Sequence, residues 1–145
     1  MTLQDILLAK GGTVYTIAPE ETLAEVVRRL VEHRIGSLLV CRQDRSENRL
    51  LGIITERDIL YFCARGRSTL SDTKVSDVMS RDLITGSPSD AVEQIMGLMT
   101  TKRIRHLPVL SEGRLVGMVS IGDVVKAQHD RLAMENRFMK DYIQS

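Results

Sequence analysis

Two heptads in this chain carry residue types that could bind a ligand. The sequence reads GIITERD over residues 52–58 and GMVSIGD over residues 117–123, so each heptad has a glycine, two apolar residues, a hydroxyl and, three positions later, an aspartate. An ionised aspartate only accepts hydrogen bonds, and it is short enough to accept from both hydroxyls of a ribose. If a helix begins at the hydroxyl residue, its free amides and positive dipole end would favour a phosphate nearby.

The same spacing also has a purely structural interpretation. Thr55 with Asp58, and Ser120 with Asp123, have the form of a capping box, in which the hydroxyl accepts a hydrogen bond from the third helical amide and the carboxylate reaches back to the cap amide. A glycine at the start of each heptad would relieve crowding where a strand bends or another backbone passes close. Spacing alone favours this interpretation, and the two roles are compatible.

The heptads belong to a longer internal repeat. A shift of 69 residues places segment 14–40 on segment 83–109 with its apolar positions matched, and the shift then falls to 65 because the first copy has four extra residues in CRQDRSENR, a predicted hairpin loop. Segments 3–7 and 75–79 correspond at a shift of 72. Length changes confined to loops indicate a duplicated structural unit.

Each copy predicts a β-α-β-β-α unit, which makes the fold class α/β (α+β). A short apolar run is followed by a helix with apolar residues at i, i+3, i+4 and i+7, then by two strands joined by a turn, and the heptad opens a further helix. The predicted strands are Val14–Ile17, Ser37–Cys41 and Leu50–Ile54 in the first copy, and Leu83–Thr85, Leu107–Leu110 and Leu115–Val119 in the second. We expect a first repeat over 3–64, a linker over 65–74, a second repeat over 75–128 and an extension over 129–145.

The extension is predicted to be one amphipathic helix. No glycine or proline occurs in the 22 residues after Asp123, and Val125, Leu132 and Met139 fall seven residues apart. Such a helix would be about 30 Å long, and its apolar stripe needs a cover. The cover could be the same chain, a second copy or another protein.

Composition limits the classes of function. The chain has 20 basic and 19 acidic residues, for a net charge of +1, and only two Phe, three Tyr and no Trp. This balance gives no reason to expect nucleic acid or an anionic membrane as a partner. The N-terminal residues MTLQDILLAKGG are not expected to be a signal peptide, because Asp5 comes early and no basic stretch precedes a long apolar run. We also find no run of about 18 apolar residues, no metal-ligand spacing and no nucleophile–base set in the sequence. Cys41 and Cys63 read as free thiols, which fits a reduced, cytoplasmic location.

The tandem unit, the heptad in both copies, the T-x-x-P starts at Thr16 and Thr85, and the run RHLPV resemble CBS domains, named after cystathionine β-synthase. The resemblance covers about residues 3–128. Two such domains in tandem form a Bateman module, and no catalytic domain accompanies them here. The chain is therefore most similar to the stand-alone CBS-pair proteins.

The resemblance implies a pseudo-twofold fold with two clefts that bind adenosine derivatives. Family ligands include AMP, ADP, ATP, S-adenosylmethionine and NAD(H), and the first expectation here is a non-catalytic sensor module with AMP foremost and ATP or NAD(H) as alternatives. It also implies a disk-like homodimer and a regulated protein that the sequence does not name. Two alternatives stay open: a scaffold protein with degenerate clefts, and a small enzyme acting on a nucleotide.

Family positions carry over to two sites. The favoured site would hold ribose at Ser120 and Asp123, adenine beside Met118, and phosphate at Arg105 and His106. Its adenine wall would come from Thr16 and the backbone at Ile35, Gly36 and Ser37. The second site would use Ile53, Thr55, Arg57, Asp58, Thr85, and the backbone near Ile104, Arg105 and His106.

The two sites differ in their expected charge. In the second repeat, Arg105 and His106 are expected at the phosphate. The matching residues of the first repeat are Gly36 and Ser37, which bring no positive charge to a phosphate. Arg57 lies inside the first heptad and could substitute for them. We therefore expect the Asp123 site to bind a 5′-phosphate more tightly than the Asp58 site.

Overall fold

The protein is described here from a computed structural model that covers residues 1–11, 13–44 and 47–144. The described elements follow the predicted order β-α-β-β-α in the first copy and α-β-β-α in the second, with an additional helix before the first copy. The helices are α1 (Leu3–Lys10), α2 (Leu23–His33), α3 (Glu56–Arg65), α4 (Val92–Lys102) and α5 (Ile121–Gln144). The strands are β1 (Thr16–Ile17), β2 (Ser37–Asp44), β3 (Glu47–Thr55), β4 (His106–Ser111) and β5 (Arg114–Ser120).

The chain divides into two compact units. The first-repeat unit is Thr13–Ile84 with Glu112–Leu115, and the second-repeat unit is Met1–Gly12 with Thr85–Ser111 and Val116–Ser145. Helix α1 therefore precedes the first repeat in the sequence but packs in the unit of the second.

The first-repeat unit is built on a three-stranded sheet in the order β1-β2-β3. β1 runs parallel to β2, and β2 pairs antiparallel with β3 so that Ser37 lies opposite Thr55. The hairpin is confirmed, and its strands extend further than the β-branched runs predicted. The turn expected within CRQDRSENR involves residues 45–46, which lie outside the described residues.

The second-repeat unit has a two-stranded sheet, β4-β5, and the prediction of a strand at Leu83–Thr85 is wrong. At this point the described chain makes only a single parallel bridge, from Gly86 to Val109. The Gly86 amide donates to the Pro108 carbonyl at 2.9 Å, and the Gly86 carbonyl accepts from Leu110 at 2.8 Å. Pro88 follows two residues later and has no amide to continue the ladder.

The apolar positions matched by the repeat form both cores. Six matched pairs are buried in both copies, with no residue more than 7% exposed. The matched pairs are Leu23 with Val92, Val26 with Ile95, Leu30 with Met99, Leu38 with Leu107, Val40 with Val109, and Ile54 with Val119. Burial of these pairs is the main source of stability, because each Leu, Ile or Val removed from water contributes about 1.5–3 kcal/mol.

The segments that precede the two repeats pack on each other's repeat. In the second-repeat unit, Leu3 is fully buried and its amide donates to the Asp90 carbonyl at 3.0 Å. In the first-repeat unit, the corresponding Val75 is fully buried and its amide donates to the Glu21 carbonyl at 2.8 Å. Segments 3–7 and 75–79, which correspond at a shift of 72, therefore have equivalent packing roles. We call them the exchanged segments, because each packs in the unit of the repeat that it does not directly precede.

Helix α5 confirms the predicted terminal helix. It has 24 residues, which corresponds to about 36 Å at 1.5 Å per residue. Val124 is its one buried side chain among the described residues. The apolar residues further along, Leu132, Met134, Phe138, Met139 and Ile143, are at least 60% exposed.

Candidate ligand-binding sites

Both heptads form the predicted capping boxes. At the start of α3, the Asp58 amide donates to Thr55 Oγ1 at 3.3 Å, and the Thr55 amide donates to Asp58 Oδ2 at 2.9 Å. At the start of α5, the Asp123 amide donates to Ser120 Oγ at 3.0 Å, and the Ser120 amide donates to Asp123 Oδ2 at 2.9 Å. The structural interpretation of the heptads is therefore confirmed.

The first amide of each helix is also used within its own repeat. The Glu56 amide donates to the Gly36 carbonyl at 3.0 Å, and the Ile121 amide donates to the Arg105 carbonyl at 2.8 Å. Three of the four amides that a helix N-terminus leaves free are thus already satisfied at each heptad. Side chains, rather than a row of free amides, have to supply most of any contact to a phosphate.

A neighbouring segment explains the glycine in each heptad. A β-carbon on Gly52 would lie 2.5 Å from the Ser80 carbonyl oxygen and 3.0 Å from the Met79 sulfur. A β-carbon on Gly117 would lie 2.5 Å from a methyl carbon of Leu7. Met79 and Leu7 are counterparts at the shift of 72, so each glycine admits the exchanged segment. The predicted close approach of another backbone is confirmed at Gly52, whereas at Gly117 the close neighbour is a side chain.

Lys10 contacts the favoured site and was missed by the sequence analysis. Its ammonium Nζ donates to Asp123 Oδ2 at 2.7 Å and to the Met118 carbonyl at 2.9 Å. Burial raises the pKa of Asp123, but the bonds from Lys10 and from the Ser120 amide lower it more, so the pKa lies below its usual value. The signal in the sequence is weak, because a lysine at the end of a short helix ordinarily reads as a solvated C-terminal charge.

The first repeat has no lysine in this role. The Ile53 carbonyl, which is the counterpart of the Met118 carbonyl at the shift of 65, accepts from the Ser80 amide at 2.9 Å. The Glu56 carboxylate lies over Gly36, since a β-carbon there would be 3.3 Å from Glu56 Oε1. The Asp123 carboxylate thus forms an ion pair with Lys10, whereas in the first heptad Arg57 lies in the sequence between two carboxylates, Glu56 and Asp58.

The predicted residues of each site are distributed over both units. In the second-repeat unit, backbone bonds and the cap bring Arg105, Met118, Ser120 and Asp123 to the start of α5. Arg105 is exposed and Met118 is partly buried. Ile104 and His106 in the same unit are also partly buried, and Thr85 is exposed.

In the first-repeat unit, Thr16 pairs with Leu39, and Gly36 and Ser37 lie beside the start of α3. Ile35 and Ile53 are partly buried, and Arg57 is exposed. Ser37 is 2% exposed, and its Oγ has no hydrogen-bond partner among the described residues. A buried hydroxyl without a partner is costly, so this atom is a candidate for a ligand contact.

Other chemistry finds little support in the described chain. Within residues 1–11, 13–44 and 47–144, no three His, Cys, Asp or Glu side chains are grouped so as to hold a metal ion. In the same residues, no helix combines the length and apolar character required to cross a bilayer. Cys41 and Cys63 are both free thiols, as predicted.

The tandem units and their paired capping boxes define a duplicated β-α-β-β-α protein. The family model of the CBS domain matches residues 12–65 and again residues 75–130. The chain therefore belongs to the CBS domain family.

Known relatives agree with this assignment. The mitochondrial CBS domain-containing protein CBSX3 of Arabidopsis thaliana is 39% identical to this chain over 150 residues. The match covers 99% of this chain and 72% of that protein. The crystal structure of the CBS-domain protein ATU1752 from Agrobacterium tumefaciens is 36% identical, with a TM-score of 0.80, and the match covers 88% of this chain and 99% of that one. The CBS domain pair of MJ0100, crystallised with 5′-methylthioadenosine and S-adenosyl-L-methionine, shares the fold at 24% identity and a TM-score of 0.76, over 90% of this chain and 98% of that one.

Proposed function

We propose that this CBS pair is a non-catalytic regulatory module that binds an adenosine-containing ligand, with Asp123 and Ser120 on the ribose. The observation that carries the proposal is the contrast between the two heptads. Both carboxylates are held in the same cap geometry, but Asp123 has the cations Lys10 and Arg105 in its unit. A site with this charge favours a ligand that offers both a diol and an anion.

AMP is the ligand that fits this chemistry best. Its ribose hydroxyls would donate to Asp123, and its 5′-phosphate would accept from Arg105, with His106 beside it. ATP and NAD(H) have the same groups and are the next candidates. S-adenosylmethionine has the ribose but no phosphate, so the adenosine compounds bound by MJ0100 support the ribose half of the proposal only.

Adenine would be held by Thr16 and residues 35–37 of the first repeat, as family resemblance implies. The buried, unpartnered Oγ of Ser37 supports this, since a ring nitrogen or amino group could satisfy it. The second site, with Thr55, Arg57 and Asp58, is proposed to bind phosphate-bearing ligands more weakly. Glu56, whose carboxylate lies beside Gly36, adds negative charge to that unit.

Thermal unfolding with added ligand tests the proposal. At a hundred times its dissociation constant, AMP should stabilise the chain by about 2.7 kcal/mol, or about 5–10 °C in the midpoint. The shift should disappear in Asp123→Ala and persist in Asp58→Ala, which removes the matched cap residue of the first repeat. A folded, nucleotide-free chain that shifts with none of AMP, ATP, NADH or S-adenosylmethionine would contradict the proposal and favour the scaffold alternative.

Regulation would act through the packing of the repeats and the exposed α5 helix. Ligand that binds one arrangement better than another shifts the population toward it. We propose that the chain is a homodimer in which α5 helices of two copies pair, because the apolar residues from Leu132 to Ile143 are exposed in the single chain. A cytoplasmic location remains a prediction, and one relative is described as mitochondrial.

A small enzyme acting on nucleotides is the less favoured alternative. The hydroxyls of the heptads, on Thr55 and Ser120, are engaged in helix caps. Prolonged incubation with AMP, ATP or NADH should return the ligand unchanged by chromatography. Product that accumulates in proportion to protein concentration would instead establish an activity.

A further inference from the structure

Lys10 and Asp123 form an ion pair, although they lie far apart in the sequence. Lys10 is the last residue of α1, whose Leu3, Ile6 and Leu7 are buried in the second-repeat unit. This packing fixes the end of the helix near the start of α5. The ammonium lies 2.7 Å from Asp123 Oδ2, and the two side chains are 36% and 26% exposed.

The ion pair engages the Asp123 carboxylate, which is the group that the proposed function assigns to the ribose. Asp123 Oδ2 already accepts from the Ser120 amide and from Lys10. A ribose diol would have to use the remaining acceptor capacity of this carboxylate or displace the ammonium. Lys10 therefore competes with a neutral nucleoside for Oδ2 of Asp123.

A phosphate changes this balance. The Lys10 ammonium has three N–H groups, of which two are used by Asp123 and by the Met118 carbonyl. A partly exposed ion pair between flexible side chains is weak, whereas a charge-assisted bond to a phosphate is among the stronger hydrogen bonds. Exchange of Asp123 for a phosphate oxygen would satisfy the ammonium and free the carboxylate for the ribose.

We propose that Lys10 is a specificity-determining residue of the Asp123 site, which selects phosphate-bearing nucleotides over the corresponding nucleosides by exchanging Asp123 for the ligand's phosphate. The proposal rests on the proposed function and adds to it a residue from α1, outside both heptads. In the first repeat the Ile53 carbonyl, the counterpart of Met118, accepts from the Ser80 amide and not from a lysine, so the selection is confined to the Asp123 site.

Isothermal titration of AMP and adenosine into the full chain tests the exchange. Lys10→Gln should weaken AMP about tenfold or more, the scale of a lost charge-assisted bond, and leave adenosine binding unchanged or tighter. Lys10→Arg keeps the charge and should retain most of the preference for AMP. Lys140→Gln removes an equal charge from the exposed tail and should change neither ligand.

The outcomes separate this proposal from the proposed function. If the wild type binds AMP and Lys10→Gln weakens AMP and adenosine equally, or changes neither, the role of Lys10 is overturned and the proposed function stands. If the wild type binds neither AMP nor adenosine, the role of Lys10 is overturned, and the proposed function falls with it only if ATP, NADH and S-adenosylmethionine also fail to bind. Lys10→Met, checked by thermal unfolding beside Lys10→Gln, excludes misfolding as the cause of a loss, since two folded neutral variants must agree.

Discussion

A β-carbon placed on Gly52 would lie 2.5 Å from the carbonyl oxygen of Ser80. That carbonyl cannot move away easily, because Ser80 and Ile53 exchange two backbone hydrogen bonds of 2.9 and 3.0 Å. Gly52→Ala should therefore lower the free energy of unfolding by about 3 kcal/mol, at the upper end for overpacking. Denaturant unfolding monitored by circular dichroism measures this loss.

Two glycines of the second repeat should give smaller changes in the free energy of unfolding than Gly52. Gly117 meets the methyl end of the Leu7 side chain, which can rotate, so Gly117→Ala should cost only about 1 kcal/mol. Gly97, in α4, has open space where a β-carbon would lie, so Gly97→Ala should stabilise by up to about 1 kcal/mol. A Gly52→Ala variant as stable as the wild type would refute the close approach.

Arg105 should separate nucleotides from nucleosides. If its guanidinium binds the 5′-phosphate, Arg105→Ala should weaken AMP by roughly 1.5–3 kcal/mol and leave adenosine nearly unchanged. Calorimetric titration of both ligands measures the difference. Arg103→Ala, which removes an exposed arginine two residues earlier, is a charge-matched control, although its positive φ of 55° requires a stability check. Equal losses for AMP and adenosine would rule out the phosphate contact.

Acid should weaken the contribution of Asp123 to stability. The hydrogen bonds from Lys10 and the Ser120 amide outweigh burial and lower its pKa. A lowered pKa means that the folded state binds the proton less readily than the unfolded chain, so the stabilisation is present above the usual aspartate range and is lost as the pH falls through the folded pKa. The stability gap between the wild type and Asp123→Asn should therefore shrink from pH 7 toward pH 3.

Urea unfolding at each pH measures this gap. Asp141→Asn removes a carboxylate from the exposed tail and corrects for the change in net charge. Lys10→Gln should reduce the pH dependence contributed by Asp123. A gap that stays constant from pH 7 to pH 3 would contradict the lowered pKa.

The two thiols should differ sharply in reactivity. Cys41 is 6% exposed, and burial raises its pKa to about 11, whereas Cys63 is exposed. Because the thiolate is the reactive form, a disulfide reagent at pH 8 should label one thiol per chain quickly and the other only on unfolding. Cys63→Ser should abolish the fast phase. A fast phase that survives in Cys63→Ser would show that Cys41 is accessible.

The tail helix should control oligomeric state. A chain that ends after Lys126 keeps Val124, the buried residue of α5, but loses the exposed apolar residues, so we expect a monomer where the full chain is a dimer. Light scattering at several concentrations measures the mass. Phe138→Glu should act like the truncation, and Arg137→Glu, an exposed polar neighbour on the helix, should not. A truncated chain that remains dimeric would place the interface elsewhere.

Local features were predictable from the sequence because their interactions span few residues. The Thr55 and Ser120 caps join residues three positions apart, and the matched core positions follow helical and strand periodicity. Two features were not predictable in this way. The Lys10–Asp123 pair joins residues 113 positions apart. The predicted strand at Leu83–Thr85 is absent from the described residues because an apolar run forms a strand only where a neighbouring backbone offers hydrogen bonds, and the sequence pattern does not show this.

The exchanged segments also constrain the order in which the chain can fold during synthesis. Most of the first-repeat unit is one continuous stretch, Thr13–Ile84, so its core residues are available before any residue beyond Ile84 is made. Helix α1 is made before this stretch, but its partners begin at Thr85. The apolar side of the helix must therefore stay uncovered until the second repeat is made, so α1 reaches its native contacts later than the repeat that follows it in the sequence.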